Sequence, residues 1–200
     1  MKEQVLDKMK EKFTYGSQDS LPFRYVGLNV DKVDDKIIID QDHFVQTLEI
    51  PDLKEISSLK KHTILPDKHQ TEFRSLVSKL NMLSVTSRPD ITFEVKILTT
   101  KYGKATKGDM NDATKLVKKV KRNSTKITIP DMGNVEDWIL LAYADAATKK
   151  IDNAFSVAGH IVFLFNKKTN KNGVLWSQAR MRIEMRLRCY LLIWLLVICN

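Results

Sequence analysis

The sequence predicts an α/β fold of the α+β type, in which helices and strands occupy separate parts of the chain. Apolar residues recur at three- and four-residue spacing through much of residues 1–130, as in amphipathic helices. After Pro130 the pattern changes to apolar runs bounded by turn residues, which is typical of strands. We therefore expect one region over residues 1–130, a second over residues 131–180 and a divergent apolar tail over residues 181–200.

In the first third of the chain we expect a helix, a hairpin and a short second helix. Residues 3–13 carry their apolar side chains on one helical face. Residues 23–31 and 36–40 predict two strands, which the four residues between them join as a hairpin. Residues 41–49 predict the short helix, and residues 51–66, which contain two prolines and no clear period, predict an irregular connection.

Three amphipathic helices are expected next. The first begins at Asp67, which has capping-box spacing with Gln70. The second begins near Pro89, a residue tolerated in a first turn, and the third spans residues 108–121. The apolar stripes of the three helices are Phe73, Leu76, Val77 and Leu80; Ile91, Val95, Leu98 and Tyr102; and Met110, Ala113, Leu116, Val117 and Val120.

The region after Pro130 predicts three strands. Residues 137–145 and 156–165 are apolar runs, and an Asn-Gly turn signal at residues 172–173 precedes a third run at residues 174–177. So few strands leave an open edge and an uncovered face, and we expect this part to be marginally stable.

Composition indicates a basic globular protein. Hydrophobic residues make up 43% of the 200 residues, and 33 Lys and Arg against 24 Asp and Glu give a net charge of +9. This surplus favours polyanionic partners, because neutralised phosphates release counterions; the alternative is a merely soluble basic protein. Cys189 and Cys199 form no disulfide framework, and the charged amino end contains no apolar signal region. We expect an intracellular protein, cytoplasmic or nuclear, that is not secreted.

Several sequence blocks stand in an order and spacing that resemble one family. FRYVGLNV and KIIIDQDHFVQTL place Phe23, Gly27, Ile37 and Gln41 at the family's positions, and residues 87–91 (SRPDI) are similar to its Thr-Arg-Pro-Asp-Ile block. AYADAA, SVAGHIVFLF and VLWSQ are similar to its first three ribonuclease H strands. The chain thus resembles copia-type retrotransposon Pol polyproteins, from just past the reverse transcriptase active site into a shortened ribonuclease H domain.

This resemblance, which covers about residues 3–180, implies a fold and a parent function. Residues 1–130 would be the end of the reverse transcriptase palm, the thumb and the connection, and residues 131–180 an incomplete ribonuclease H-like sheet. The parent is an RNA-directed DNA polymerase with ribonuclease H activity, which uses Mg²⁺ and acts on an RNA–DNA hybrid or a template–primer duplex. We expect this chain to be a fragment that holds no cofactor and is inactive by itself.

One carboxylate matches the family's nuclease site. Asp145 holds the place of the first metal-binding aspartate, at the end of what would be the central strand. Two-metal chemistry needs several carboxylates at one point. The second aspartate of that strand is replaced by Ala147, and the surroundings of Glu184 do not match those of the family's glutamate. Asp145 is therefore expected to be a vestigial catalytic and metal-binding residue, or a plain strand-end aspartate.

The third amphipathic helix is the candidate contact surface. Its apolar stripe faces inward, and its basic residues would contact phosphates rather than bases, since lysine is a point charge. The alternatives are a solvated helix face and a non-catalytic nucleic-acid-binding module of other origin. The candidate nucleic-acid-binding residues are Lys115, Lys118, Lys119, Lys121 and Arg122.

The carboxyl-terminal tail admits three interpretations. Residues 189–200 are nearly all apolar but too few for a helical membrane span, which needs about 20 residues. The arginines before them suit an interfacial segment, and a buried helix is a second interpretation. The third, which we favour, is out-of-frame translation, because the family resemblance stops near Arg180. Attachment to a membrane is not expected.

Overall fold

A computed structural model describes Asp7 and residues 11–13, 20–151 and 155–182. The first expected helix and the apolar tail lie largely outside these residues. Within them, the strands are β1 (Phe23–Tyr25), β2 (Leu28–Val33), β3 (Lys36–Asp40), β4 (Ile127–Pro130), β5 (Trp138–Ile151), β6 (Phe155–Asn166) and β7 (Asn172–Arg182). The α-helices with defined bounds are α1 (Asp42–Gln46), α2 (Asp67–Thr86), α3 (Thr92–Thr99) and α4 (Lys107–Arg122), and 3₁₀ turns span Pro89–Ile91 and Val135–Asp137.

The strands form open antiparallel sheets, so the chain is mixed α+β, as the sequence predicts. The first sheet has the order β1-β2-β3-β4, and the second has the order β5-β6-β7. β4 was not expected as a strand: it follows α4 and pairs with β3, with Ile129 opposite Ile37. Gly173 of β7 lies against Ile129, where an added Cβ would come within 3.1 Å of the isoleucine side chain.

The run over residues 23–31 is not one strand, as its composition predicts, but a hairpin. β1 and β2 pair antiparallel and are joined at Val26 and Gly27, whose φ angles are +47° and +78°. Positive φ at both central residues is the geometry of a type I′ turn, for which glycine at the second position is favoured. Valine is a strong strand former, so the sequence masks the turn.

The next hairpin is confirmed. β2 and β3 pair antiparallel across Asp34 and Asp35, which are exposed in the turn between Val33 and Lys36. Asp34 has a φ of +54°. Aspartate tolerates this left-handed conformation better than most side chains, because its short carboxylate can bond to the nearby backbone.

The helices enclose the hydrophobic core. The predicted apolar stripes are confirmed, except that Tyr102 lies beyond the end of α3 and is only partly buried. Its ring meets Phe73 edge-on at 6.3 Å between centroids. The connection over residues 51–66 adds Ile56 and Leu65 to the core. Because the buried side chains of the helices and the connection are almost completely removed from water, this part of the chain has a continuous apolar interior.

The expected capping box at Asp67 is wrong. Pro66 precedes α2 and no side chain caps the helix. Instead the buried Gln70 amide donates to the carbonyls of Leu65 and Ala105, at 3.2 and 2.8 Å, and accepts from the Ala105 N–H at 3.1 Å. Capping-box spacing is short and recurs by chance, whereas a buried amide must find partners, so the tertiary contact decides the role of Gln70.

The turn between β6 and β7 also lies elsewhere than the Asn-Gly pair predicts. Asn172 and Gly173 belong to β7, and the turn spans residues 167–169, followed by Asn170 with a φ of +57°. Asn166 stabilises this turn: its buried side chain accepts hydrogen bonds from the N–H groups of Lys168 and Thr169, both at 2.8 Å. No helix among the described residues is long and apolar enough to cross a membrane.

Candidate nucleic-acid interface

The candidate interface is built on α4, whose start and inner face are both fixed. Thr106 and Asp109 form a reciprocal capping box: the Thr106 N–H donates to the Asp109 carboxylate at 2.7 Å, and the Asp109 N–H donates to the Thr106 hydroxyl at 3.3 Å. The side chains of Met110, Val117 and Val120 are no more than 1% exposed. A helix anchored in this way cannot rotate about its axis without exposing apolar surface, so its outer face is fixed.

The basic residues lie on the outer face, with one exception. At about 3.6 residues per turn, Lys115, Lys118, Lys119 and Arg122 fall within an arc of roughly 100°. Lys121 lies further round the helix, towards α1, and its Nζ donates to the Gln46 carbonyl at 3.3 Å. We call the first four residues the basic face. The helix thus brings together four of the five predicted residues.

Two members of the basic face are already paired. The Nζ atom of Lys115 lies 3.1 Å from the Asp112 carboxylate in the same helix, and that of Lys119 lies 2.8 Å from the Glu94 carboxylate of α3. Lys118 and Arg122 are exposed, and their side chains make no ion pair or hydrogen bond with any other residue that the structure describes. Lys118 and Arg122 therefore carry the unpaired positive charge of the basic face.

The end of α4 is held by Arg88, whose role the sequence did not reveal. Its guanidinium is almost fully buried and meets Asp90 with two hydrogen bonds of 2.9 Å each. Its Nη1 also donates to the carbonyls of Val120 and Asn123, at 3.3 and 2.9 Å, at the end of α4. The last helical carbonyls have no partner within a helix, so the guanidinium satisfies them. Arg88 thereby links the start of the α3 region to the end of the basic helix.

Basic side chains near the Arg88 link have acidic partners. The Arg88 guanidinium, by its hydrogen bonds, lowers the pKa of Asp90 below its usual value against the opposing effect of burial, and Lys119 adds a smaller lowering. At the other side, Lys126 lies 3.4 Å from Asp40, and Asn29 donates to the same carboxylate. Near the carboxyl end of α4, Arg88, Lys119 and Lys126 thus each have a carboxylate partner.

Asp145 occupies a different position from the one expected. β5 continues past it to Ile151, and β5 is an edge strand of its sheet, whereas β6 is central. Asp145 stands opposite Gly159 with an exposed side chain. Asp145 thus lies within a strand and not at its end, because the apolar pattern of residues 137–145 marks only the first part of a longer strand; the place of β5 in a complete sheet stays a prediction.

The described residues do not fit the pair of Mg²⁺ ions that the resemblance implies. Two-metal sites need several carboxylates around one point. Among the residues that the structure describes, no group of three or more His, Cys, Asp or Glu side chains could hold a metal ion. The edge-strand position of Asp145 supplies a single exposed ligand, and we derive no metal-dependent step from it.

The fold and the surface define a mixed α+β protein whose best-anchored helix presents a basic face. No family model, no curated protein and no solved structure matches the chain.

Proposed function

We propose that the chain is a fragment of a copia-type retrotransposon Pol polyprotein that contacts the phosphates of an RNA–DNA hybrid or template–primer duplex and catalyses nothing alone. The observation that carries the contact is the basic face of α4, where Lys118 and Arg122 are exposed and unpaired on a helix anchored by its opposite face. The Pol origin, with its reverse transcriptase and ribonuclease H parts, rests on the order of the sequence blocks.

The two unpaired residues suit phosphate for complementary reasons. Lys118 and Arg122 are four residues apart, so they are neighbours on the helix surface. The lysine ammonium is a mobile point charge, and the guanidinium can hold two phosphate oxygens at once. Neither side chain reads bases when it contacts the backbone, so binding is expected to depend on duplex charge and shape rather than sequence.

The absence of catalysis is proposed from the sequence. The strand that carries Asp145 has Ala147 where the family has its second aspartate, and the context of Glu184 differs from that of the family's glutamate. A single carboxylate cannot hold two metal ions at the spacing needed to activate water and stabilise a leaving oxygen.

A salt titration of binding tests the proposal. Affinity for a short fluorescein-labelled RNA–DNA hybrid, measured by anisotropy, should fall steeply with salt. Lys118→Ala and Arg122→Ala should each weaken binding and reduce the slope of log K against log salt by about 1. Lys121→Ala is the matched control: its ammonium is already bound to the Gln46 carbonyl, so its removal should change the slope less.

Two results would contradict the proposal. A flat salt response, or equal effects of Lys118→Ala and Lys121→Ala, would remove the basic face as the contact. The same hybrid incubated with Mg²⁺ should stay intact, and cleavage that disappears in Asp145→Asn would show a working nuclease instead.

A further inference from the structure

We propose that Glu94 is an internal competitor of phosphate at Lys119, so that the basic face binds nucleic acid below its full capacity until this carboxylate is displaced. The inference rests on the proposed phosphate contact and adds its regulation. The observation behind it is an ion pair that joins two helices at one edge of the basic face.

The pair is close but accessible. The Lys119 Nζ lies 2.8 Å from the Glu94 Oε1, and the two side chains are 46% and 42% exposed. A phosphate oxygen approaching from solvent can therefore reach the ammonium, and it would occupy the place that the carboxylate oxygen holds. Both are anionic oxygen acceptors of the same kind of charge-assisted hydrogen bond, so they exclude one another at this position.

The protein backbone favours the paired state. Glu94 lies in the first turn of α3 and Lys119 in the last turn of α4. Negative charge is stabilised at the amino end of a helix and positive charge at the carboxyl end, so each residue sits where its own helix favours it. Arg88 fixes the distance between the two helices by bonding Asp90 on one side and the Asn123 carbonyl on the other.

The other pair on the basic face is a weaker competitor. Lys115 and Asp112 are three residues apart on one helix, and their side chains are 76% and 57% exposed. The Glu94–Lys119 pair is less exposed, so water and salt screen its attraction less.

The expected gain on removing the carboxylate is modest. Ion pairs between exposed groups are weak, so freeing Lys119 should tighten binding about two- to fivefold. The freed ammonium would then neutralise a phosphate, and the slope of log K against log salt should become steeper by up to about 0.9.

The test compares Glu94→Gln with Glu136→Gln in the full chain, using the same labelled RNA–DNA hybrid. Glu136 is exposed in the 3₁₀ turn before β5, so its substitution makes the same change in net charge away from the basic face. Glu94→Gln should bind about two- to fivefold tighter than the control and show the steeper salt slope. Equal affinities and slopes for the two variants would overturn the inference.

A double-mutant cycle identifies Lys119 as the group that is freed. Lys119→Ala should weaken binding more in the Glu94→Gln background than in the wild type, because only the freed lysine contacts phosphate. Additive effects would contradict the competition. Failure of the wild-type chain to bind the hybrid at any salt concentration would instead remove the proposed function itself, so the two failures are distinguishable.

Discussion

The helical part of the molecule and the second sheet are held together in different ways. α2, α3 and α4 bury a continuous set of apolar side chains, many of them at 0% exposure, and the buried polar side chains of Gln70 and Arg88 hydrogen-bond to carbonyls of other segments. In β5, Leu140 is 46% exposed and Tyr143 is 61% exposed. Backbone ladders join β5, β6 and β7 into a meander, and the side chains of Trp138–Asp145 are half-buried or exposed.

This difference in packing determines how firmly each candidate functional residue is held in position. A fully buried leucine contributes about 1.5–3 kcal/mol relative to an exposed one, so the helices gain more from burial than the described side chains of β5 do. The basic face lies on the well-packed part and is therefore held in one orientation. Asp145 has an exposed side chain on β5, at the edge of the described sheet.

Matched leucine substitutions should give the largest contrast between the two regions. Leu80→Ala in α2 removes a side chain that is 0% exposed and should lower the free energy of unfolding by about 2–5 kcal/mol. Leu140→Ala in β5 removes one that is 46% exposed and should cost less than about 1.5 kcal/mol. Urea unfolding monitored by circular dichroism measures both. Equal costs would mean that the meander is packed as tightly as the helices.

A smaller effect is expected from Asp90→Asn, and it depends on pH. Because Arg88 lowers the pKa of Asp90 in the folded protein, the ionised carboxylate stabilises the fold above the pKa of the unfolded state. That contribution is lost as the pH falls through the lower, folded-state pKa.

At neutral pH the substitution should therefore cost about 1.5 kcal/mol, the low end for a charged hydrogen bond, since the Asp90 side chain is 38% exposed. The difference from the wild type should vanish in strong acid. Urea midpoints across the acid range measure it, with Asp35→Asn in the exposed β2–β3 turn as control. A difference that stays constant with pH would show that Arg88 does not act through the ionised carboxylate.

The smallest change in stability is expected from Ala142→Lys on the edge strand β5. Ala142 is exposed, so a lysine there should alter the free energy of unfolding by no more than about 0.5 kcal/mol. A charge on an open edge discourages pairing with other chains, so light scattering at high protein concentration should fall. Ser75→Lys, which adds the same charge on the exposed face of α2 and away from both sheets, should reduce scattering less; an equal reduction would point to net charge rather than the edge.

The buried faces of the helices could be predicted because apolar residues recur along an amphipathic helix with a period of about 3.6 residues. The stripes of α2 and α4, including Phe73 and Val117, are buried as their spacing indicates. The same period placed Lys115, Lys118, Lys119 and Arg122 on one outer face. Pairing could not be predicted in this way: nothing local shows that Glu94 would lie beside Lys119, twenty-five residues later in the chain.

The turns were harder to predict than the helices. Val26 adopts a left-handed conformation that its side chain disfavours, and Asn172 lies in a strand although Asn-Gly is a strong turn signal. In the second case the buried Asn166 decides the turn through its own hydrogen bonds. Local propensities amount to a few tenths of a kcal/mol or about one, so a single buried polar group can override them.

By itself the sequence determined the α+β class, the buried faces of the helices and the basic character of α4, because these follow from residue spacing and charge along one element. Only the tertiary structure decided that Arg88 closes the end of α4, that Glu94 occupies Lys119 and that Asp145 stands on an edge strand. The physical reason is range: periodicity acts over a few residues, whereas ion pairs and strand neighbours depend on which distant segments the folded core brings together.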